Sequence, residues 1–391
     1  MIIYTGKGGV GKSVVSAATG VKLADLGYNV VVLSSDPAHT IFSCLNMKVT
    51  SDIVKVIDGL YITAVDPISE MRAKFDAISN FIIEWFKGRG LDEVLAYELA
   101  MLPAMTEAIG LLKILDYYEE GYDVIIVDTV PSGDALRLLY LPRITTSIYK
   151  RMLKIGSMVF NGVNKALAII LGTKTSIGEM LREEKMLFEY LEKLAGILEN
   201  SQITSVRVIA NPDSMSVESA IRATSTAQIF NLNVDLGIFN KVMPESIANN
   251  HFKGWIQKQR QLFKEFKTSL YPIPIRKAPL LKSEIKGLNM LRNLADTIYG
   301  DDDPLKIYYV GKPVEIKKVD DGVDLIIQLP FNVQDCTDII SLKDEIIVEL
   351  KTDVGMVEKI LPLPTMLHLM KPINADFEKG KLTIHFKHVE I

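Results

Sequence analysis

The chain of 391 residues is poor in cysteine, tryptophan and histidine, with 2, 2 and 5 of them. Cys44 and Cys336 lie far apart, which excludes a disulfide framework and any paired-cysteine metal knuckle. So few thiols suit a reducing compartment. No uninterrupted apolar run reaches the roughly 18 residues that point to a membrane-spanning helix. No basic segment with an apolar core opens the chain. The expectation is a cytoplasmic protein without a stable membrane span. Positive charge is not in excess either, because the formal net charge is −4. No general footprint for nucleic acid is visible. What remains is length enough for two domains and a large core.

The strongest positive signal is Gly6-Lys7-Gly8-Gly9-Val10-Gly11-Lys12-Ser13. It fits the phosphate-binding pattern G-x-x-x-x-G-K-[ST] in full. The apolar run Ile2-Ile3-Tyr4 before it reads as a buried strand, and Val14 to Leu26 reads as a helix stopped by Gly27. Glycines let backbone N–H groups turn toward a polyphosphate, and the helix start adds its positive dipole end. Lys12 is expected to reach the β- and γ-phosphates and the Ser13 hydroxyl to bind Mg²⁺. A chance glycine-rich turn is the bland alternative, and the strand before and helix after the motif argue against it.

Further on, Asn29–Ser34, Tyr61–Val65, Tyr122–Val127, Val206–Ala210 and Val234–Phe239 read as strands separated by amphipathic stretches. This alternation predicts an α/β fold, a mostly parallel sheet covered by helices. Two clusters fall at strand ends, where such sheets bind ligands. One is Ser34-Ser35-Asp36-Pro37-Ala38-His39-Thr40, and the other is Asp128-Thr129-Val130-Pro131-Ser132-Gly133-Asp134. Asp128 is the candidate Mg²⁺ ligand acting through a water. Asp36 is the candidate that orients or deprotonates the attacking water, with a plain turn as the rival reading. Gly133 supplies flexibility for a loop that senses the γ-phosphate.

These motifs resemble those of the arsenical-pump and tail-anchored-protein-targeting ATPases. In that class a second lysine of the loop, here Lys7, reaches across a homodimer to the partner's nucleotide. Asp36-Pro37-Ala38-His39 resembles the family's first switch. Asp128-Thr129-Val130-Pro131-Ser132-Gly133 and Leu136-Arg137-Leu138-Leu139-Tyr140-Leu141-Pro142 resemble the second. The resemblance covers roughly residues 1–300. It implies an ATPase using ATP and Mg²⁺, adenine contacts from Asn240, Pro279 and Leu280, and switch roles for Pro37, His39, Thr129 and Gly133. The departures exclude things too. Phe252 and Trp255 stand where eukaryotic targeting members carry zinc-binding cysteines, so no zinc is expected. Two cysteines cannot form the metalloid cluster of the arsenite pumps, so that role is disfavoured. Thr40 replaces the family's usual asparagine.

Two long helical inserts, about 67–120 and 143–200, interrupt the α/β pattern and carry Met71, Met101, Met105, Met152, Met158, Met180 and Met186. Methionine-rich apolar helices can form adaptable grooves, although single methionines usually pack a core. The family's helical subdomain binds transmembrane segments, which makes an apolar client the expectation here. The acidic Gly300-Asp301-Asp302-Asp303-Pro304 reads as a linker between an ATPase domain at 1–302 and a second domain at 303–391. Short strands follow, predicted at 305–310, 314–319, 323–329, 339–342, 345–350, 357–361 and 381–386. They point to an antiparallel β-sandwich. Its last segment, Ile373 to Ile384, resembles the final hairpin of an α-crystallin (small heat-shock) domain. The combined expectation is an ATP-hydrolysing homodimeric switch for apolar clients. The rivals are a nucleotide-switched scaffold acting on a soluble partner through the β-sandwich, and a Min- or partition-type positioning ATPase.

Overall fold

The computed structural model describes residues 1–34, 40–87, 92, 94, 103–128, 177–247, 251–311, 314–329, 333–342, 345–352, 355–363, 367–378 and 380–388. Strands β1 Ile2–Thr5, β2 Val30–Ser34, β3 Val54–Ile57, β4 Leu60–Ala64, β5 Val124–Asp128, β6 Ser205–Ala210, β7 Val234–Val242 and β8 Ile275–Pro279 build one sheet. Its order is β3-β4-β2-β5-β1-β6-β7-β8. Every pairing is parallel except β3 on β4. The helices are α1 Lys12–Asp25, α2 Thr40–Cys44, α3 Pro67–Lys87, α4 Pro103–Glu120, α5 Ile177–Glu199, α6 Ser214–Ile229, α7 Lys253–Leu270 and α8 Leu288–Tyr299.

The central strands are apolar on both faces because both faces are covered. Side chains alternate along each strand. Ile2, Val30, Val32, Val124 and Ile126 face a core shared with α1 and α8. Ile3, Val31, Leu33, Ile125 and Val127 face a second core shared with α3 to α7. The described insert helices add Met71, Phe75, Leu111, Leu115, Leu191 and Leu194 to that second core. Met71 is 1% exposed, so it packs the core and is not available to line a groove. Lys74 to Asp116 (2.8 Å) and Lys113 to Glu70 (3.0 Å) tie α3 to α4. The expected segments at residues 88–91, 95–102 and 129–176 lie outside the described residues.

Two strands were not expected from the sequence. β3 is a short edge strand with an irregular register on β4. β8 carries Arg276, Lys277 and Pro279 and closes the opposite edge, the place a sheet tolerates proline. Pro279, expected as an adenine contact, therefore ends an edge strand, with Leu280 just after it. The C-terminal part forms two antiparallel sheets, β14-β15-β10-β9 and β11-β12-β13. Their strands are β9 Val314–Val319, β10 Gly322–Gln328, β11 Val333–Ser341, β12 Glu345–Thr352, β13 Gly355–Pro362, β14 Met370–Glu378 and β15 Lys381–His388. Leu325, Ile327, Ile346, Val348, Leu361, Ile384 and Phe386 fill the space between them.

Residues 305–310 do not form the strand expected there. Their backbone bonds go to the large sheet instead: Asp235 accepts from Tyr308 N (3.1 Å), and Asn233 Nδ2 donates to Tyr309 O (3.0 Å). The anchor beneath is Arg207 on β6, fully buried. Its guanidinium meets Asp235 (3.4 Å), Tyr299 OH (3.2 Å), Pro304 O (2.6 Å) and Lys306 O (3.3 Å). Tyr299 OH hydrogen-bonds Tyr4 OH (2.8 Å) and Thr19 Oγ1 (2.9 Å), so the cluster also grips β1 and α1. A buried charge is tolerable only with such partners. The β-sandwich docks through Arg222 to Glu345 (2.6 Å) and through Lys359, whose Nζ donates to Ser269 O at the end of α7 (2.9 Å). Burial pushes the Lys359 ammonium down to about 8.

Removing residues 312–391 should leave the Arg207 cluster whole, whereas removing 304–391 strips two carbonyl acceptors from a buried guanidinium. The shorter chain should be less stable by about 1–3 kcal/mol. Urea unfolding of the two truncated chains checks this, and equal free energies would contradict it.

Candidate nucleotide site

β1 ends at Thr5 and α1 begins at Lys12, so the six residues between them must reverse direction while presenting amides. Positive φ at Gly6 (146°), Gly9 (80°) and Gly11 (99°) makes the reversal possible. The glycines differ in their surroundings. A Cβ at Gly6 would lie 2.4 Å from Ile209 O, and one at Gly11 2.6 Å from Asn240 Nδ2. A Cβ at Gly8 or Gly9 would meet nothing within 4 Å. The loop is thus closed against the protein at its two ends and open at its crown. Lys12 Nζ donates to Gly6 O (3.1 Å) and Lys7 O (3.2 Å), spanning the loop from within. Ser13 is buried in the first turn of α1. Val10 is buried and Val14 half-buried. Lys7 is partly exposed, and no described side chain or carbonyl accepts from its ammonium.

The loop is also held from outside. Asn240 Nδ2 donates to Val10 O (2.7 Å) and Lys241 Nζ to Gly9 O (2.8 Å). Asn211 Nδ2 reaches Gly9 O at 3.5 Å. The resemblance singled out Asn240 as an adenine contact, and its bond to the loop was not expected. Lys241 and Asn211 were not expected, because their contacts join segments more than two hundred residues apart and leave no local pattern.

Asp128 closes β5 and is fully buried, registered beside Tyr4 of β1 and Ser34 of β2. The carboxylate therefore stands one strand from the loop at the same sheet edge. Cys44 at the end of α2 feels it: burial first, then the charges of Asp128 and Glu284, push the thiol up to about 11. A thiol so raised stays protonated at neutral pH. Pro279 pairs with Val242, and Leu280 N donates to Val242 O (2.8 Å), which sets both beside the end of β7. Phe252 precedes α7, and Trp255 in its first turn is 61% exposed. Asp36, Pro37, His39, Thr129 and Gly133 lie outside the described residues.

The residues present fit a nucleoside polyphosphate. The crown is open, glycines stand where a side chain would collide, and a lysine and a hydroxyl sit at a helix start with a buried carboxylate beside them.

Comparison with known proteins gives the same direction. The family described as anion-transporting ATPase matches residues 1–300. A second family, described as the HSP20-like domain found in ArsA, matches residues 320–386. A protein of Aquifex aeolicus provisionally named arsenical pump-driving ATPase 1 is 32% identical over 98% of this chain and 99% of its own length. A similarly named protein of Chlorobaculum tepidum is 28% identical over 99% of this chain and 95% of its own. The ATPase GET3B of Arabidopsis thaliana is 25% identical over 75% of this chain and 77% of its own. The matched length, taken with the loop geometry, makes this chain an ATPase belonging to the anion-transporting ATPase family.

Proposed function

We propose that the chain, as a homodimer in the cytoplasm, uses ATP and Mg²⁺ to switch between states that capture and release apolar clients such as transmembrane segments. Residues 1–302 form the ATPase unit of this reading, and 303–391 hold a connector bonded to it and an appended β-sandwich. The observation that carries it is the loop Gly6–Ser13, closed at its ends, open at its crown and spanned by Lys12. Lys12 exchanges the carbonyls of Gly6 and Lys7 for phosphate oxygens. The amides of Gly8, Gly9, Val10, Gly11, Lys12 and Ser13 receive the rest of the polyphosphate. Mg²⁺ supplies charge neutralisation for the phosphates, with Ser13 as its ligand and Asp128 holding a water beside it. Asn240, Pro279 and Leu280 flank the adenine. Asp36 orients and accepts a proton from the attacking water, while Pro37, His39, Thr129 and Gly133 belong to the segments that respond to the γ-phosphate.

Lys7 carries the dimer reading. Its ammonium is partly exposed and has no acceptor among the described residues, as suits a cation whose partner lies on another subunit. The two free thiols, Cys44 and Cys336, fit a reducing cytoplasm. The client reading rests on the apolar stretch Ile155–Leu171 of the second insert. Among the described residues no helix is long and apolar enough to cross a membrane.

Lys12→Ala should impair nucleotide binding itself. Lys7→Ala should weaken ATP-dependent dimerisation and hydrolysis more than nucleotide binding by one subunit, with dimerisation read by light scattering with a non-hydrolysable analogue. Equal dimerisation by Lys7→Ala and wild type would refute the trans role.

Asp36→Asn should bind ATP and lose turnover by about 10²–10⁴-fold, because an amide cannot accept the proton. Wild-type phosphate release by this variant would remove Asp36 from the mechanism.

A peptide carrying an apolar transmembrane-like helix should bind with an affinity that changes with the nucleotide. Charged substitutions at Met158 and Ile169 should weaken it, since an unpaired buried charge is strongly unfavourable. If no nucleotide state binds the peptide while a soluble partner depends on residues 304–391, the scaffold reading replaces this one.

A further inference from the structure

Lys241 stands directly after Asn240 on β7, and both side chains reach the loop. That is unusual for a strand, where consecutive side chains point to opposite faces. The cause is a break in the ladder. β7 pairs regularly with β8 through Phe239 opposite Lys277, then slips register before Val242 meets Pro279. Within the slip Lys241 takes a left-handed backbone at φ 54. Side-chain-bearing residues avoid that region, and lysine has no local hydrogen bond that compensates as asparagine has. Irregularities of this kind re-aim side chains and cluster near functional sites.

The re-aimed groups meet consecutive carbonyls. Asn240 Nδ2 donates to Val10 O at 2.7 Å, and Lys241 Nζ donates to Gly9 O at 2.8 Å. In a trans peptide the C=O and the following N–H point in opposite directions. Holding the Gly9 carbonyl outward therefore sets the Val10 amide, which here makes only a long bond to Lys7 O (3.5 Å), and holding the Val10 carbonyl sets the Gly11 amide. Gly9 needs the help more than its neighbour does. It has positive φ, is exposed, and has open space where a side chain would be. Among the described residues its one other donor is Asn211 Nδ2 at 3.5 Å.

We propose that Lys241 is a positioning residue for ATP hydrolysis, pinning the Gly9 carbonyl so that the loop's amides are already oriented for the phosphates. This rests on the reading of Gly6–Ser13 as the phosphate loop. The strained backbone of Lys241 is the cost of placing an ammonium there, and the preorganised loop is what it produces. Its effect is on binding of the nucleotide in ground and transition states alike, since it does not touch the reacting atoms.

Two variants of the full-length protein test it. Lys241→Gly removes the ammonium and relieves the left-handed strain, so it should fold at least as well as wild type. Lys241→Arg keeps a cationic donor. A charge-assisted hydrogen bond predicts a rise in KM for Mg·ATP of about tenfold in Lys241→Gly. The same loss of uniform binding leaves kcat within about twofold, and Lys241→Arg should recover most of the KM. Hydrogen exchange at the Val10 and Gly11 amides should quicken in Lys241→Gly without nucleotide. An unchanged KM in Lys241→Gly overturns the inference. So does a KM rise that Lys241→Arg leaves uncorrected and that comes with a lowered melting temperature, the mark of a structural role alone. Lys12→Ala separates the two levels of the argument. If it loses ATP binding while Lys241→Gly equals wild type, the loop reading stands and only the role of Lys241 falls. If Lys12→Ala is fully active, the loop reading itself is wrong.

Discussion

A loop that binds phosphate must turn its amides toward the ligand, which leaves its carbonyls facing the protein. The buried ones need donors because unpaired buried polar groups are strongly unfavourable, and the exposed Gly9 carbonyl is tethered for position. The structure is organised around that need. Lys12 serves Gly6 O and Lys7 O, Asn240 serves Val10 O, and Lys241 with Asn211 serves Gly9 O. The donors come from α1, from β7 and from the end of β6. These elements lie together only because the sheet order sets β1 beside β6 and β6 beside β7. The parallel sheet is thus the means of bringing three strand ends to one loop, the edge where open α/β sheets bind ligands.

At the opposite side of the same strands, Arg207 plays the comparable part for the junction with the β-sandwich. One guanidinium holds Asp235 of β7, Tyr299 of α8 and the carbonyls of Pro304 and Lys306. Through Tyr299 it reaches Tyr4 of β1 and Thr19 of α1, the two elements that flank the loop. The start of the connector is therefore fastened to the nucleotide-binding unit by its backbone. Lys359 adds a second fastening at the C-terminal end of α7, where an ammonium meets the negative end of the helix dipole. Both contacts favour a β-sandwich that moves with the ATPase unit.

The sequence made the loop legible because its chemistry is local. Glycines, lysine and serine at fixed spacing, with a strand before and a helix after, leave few alternatives, and α1 begins at Lys12 where Val14 was expected. The buried strands β1, β2, β5, β6 and β7 were legible for the same reason, as β-branched runs between amphipathic stretches. What escaped depended on distant partners. Lys241 reads as an ordinary solvated lysine until its contact with Gly9, 232 positions away, is seen. Residues 305–310 alternate like a strand, but their hydrogen bonds go to Asp235 and Asn233. Edge strand β8 carries Arg276, Lys277 and Pro279, and β3 is only four residues long with Lys55 inside it, so neither reads as a buried strand. Met71 went to the core, which its amphipathic helix allowed and its composition did not decide.

The central claim is that two subunits share their active sites, with Lys12 acting within a subunit and Lys7 acting across to the other. Complementation tests it directly. Lys7→Ala and Lys12→Ala proteins are each mixed alone and together with Mg·ATP, and phosphate release is measured. In a mixed dimer one site combines the Lys12 of the first subunit with the Lys7 of the second, so activity should rise well above that of either variant. If light scattering shows that mixed dimers form and the mixture is still no more active than the two variants measured separately, Lys7 serves its own subunit and the shared-site account is wrong.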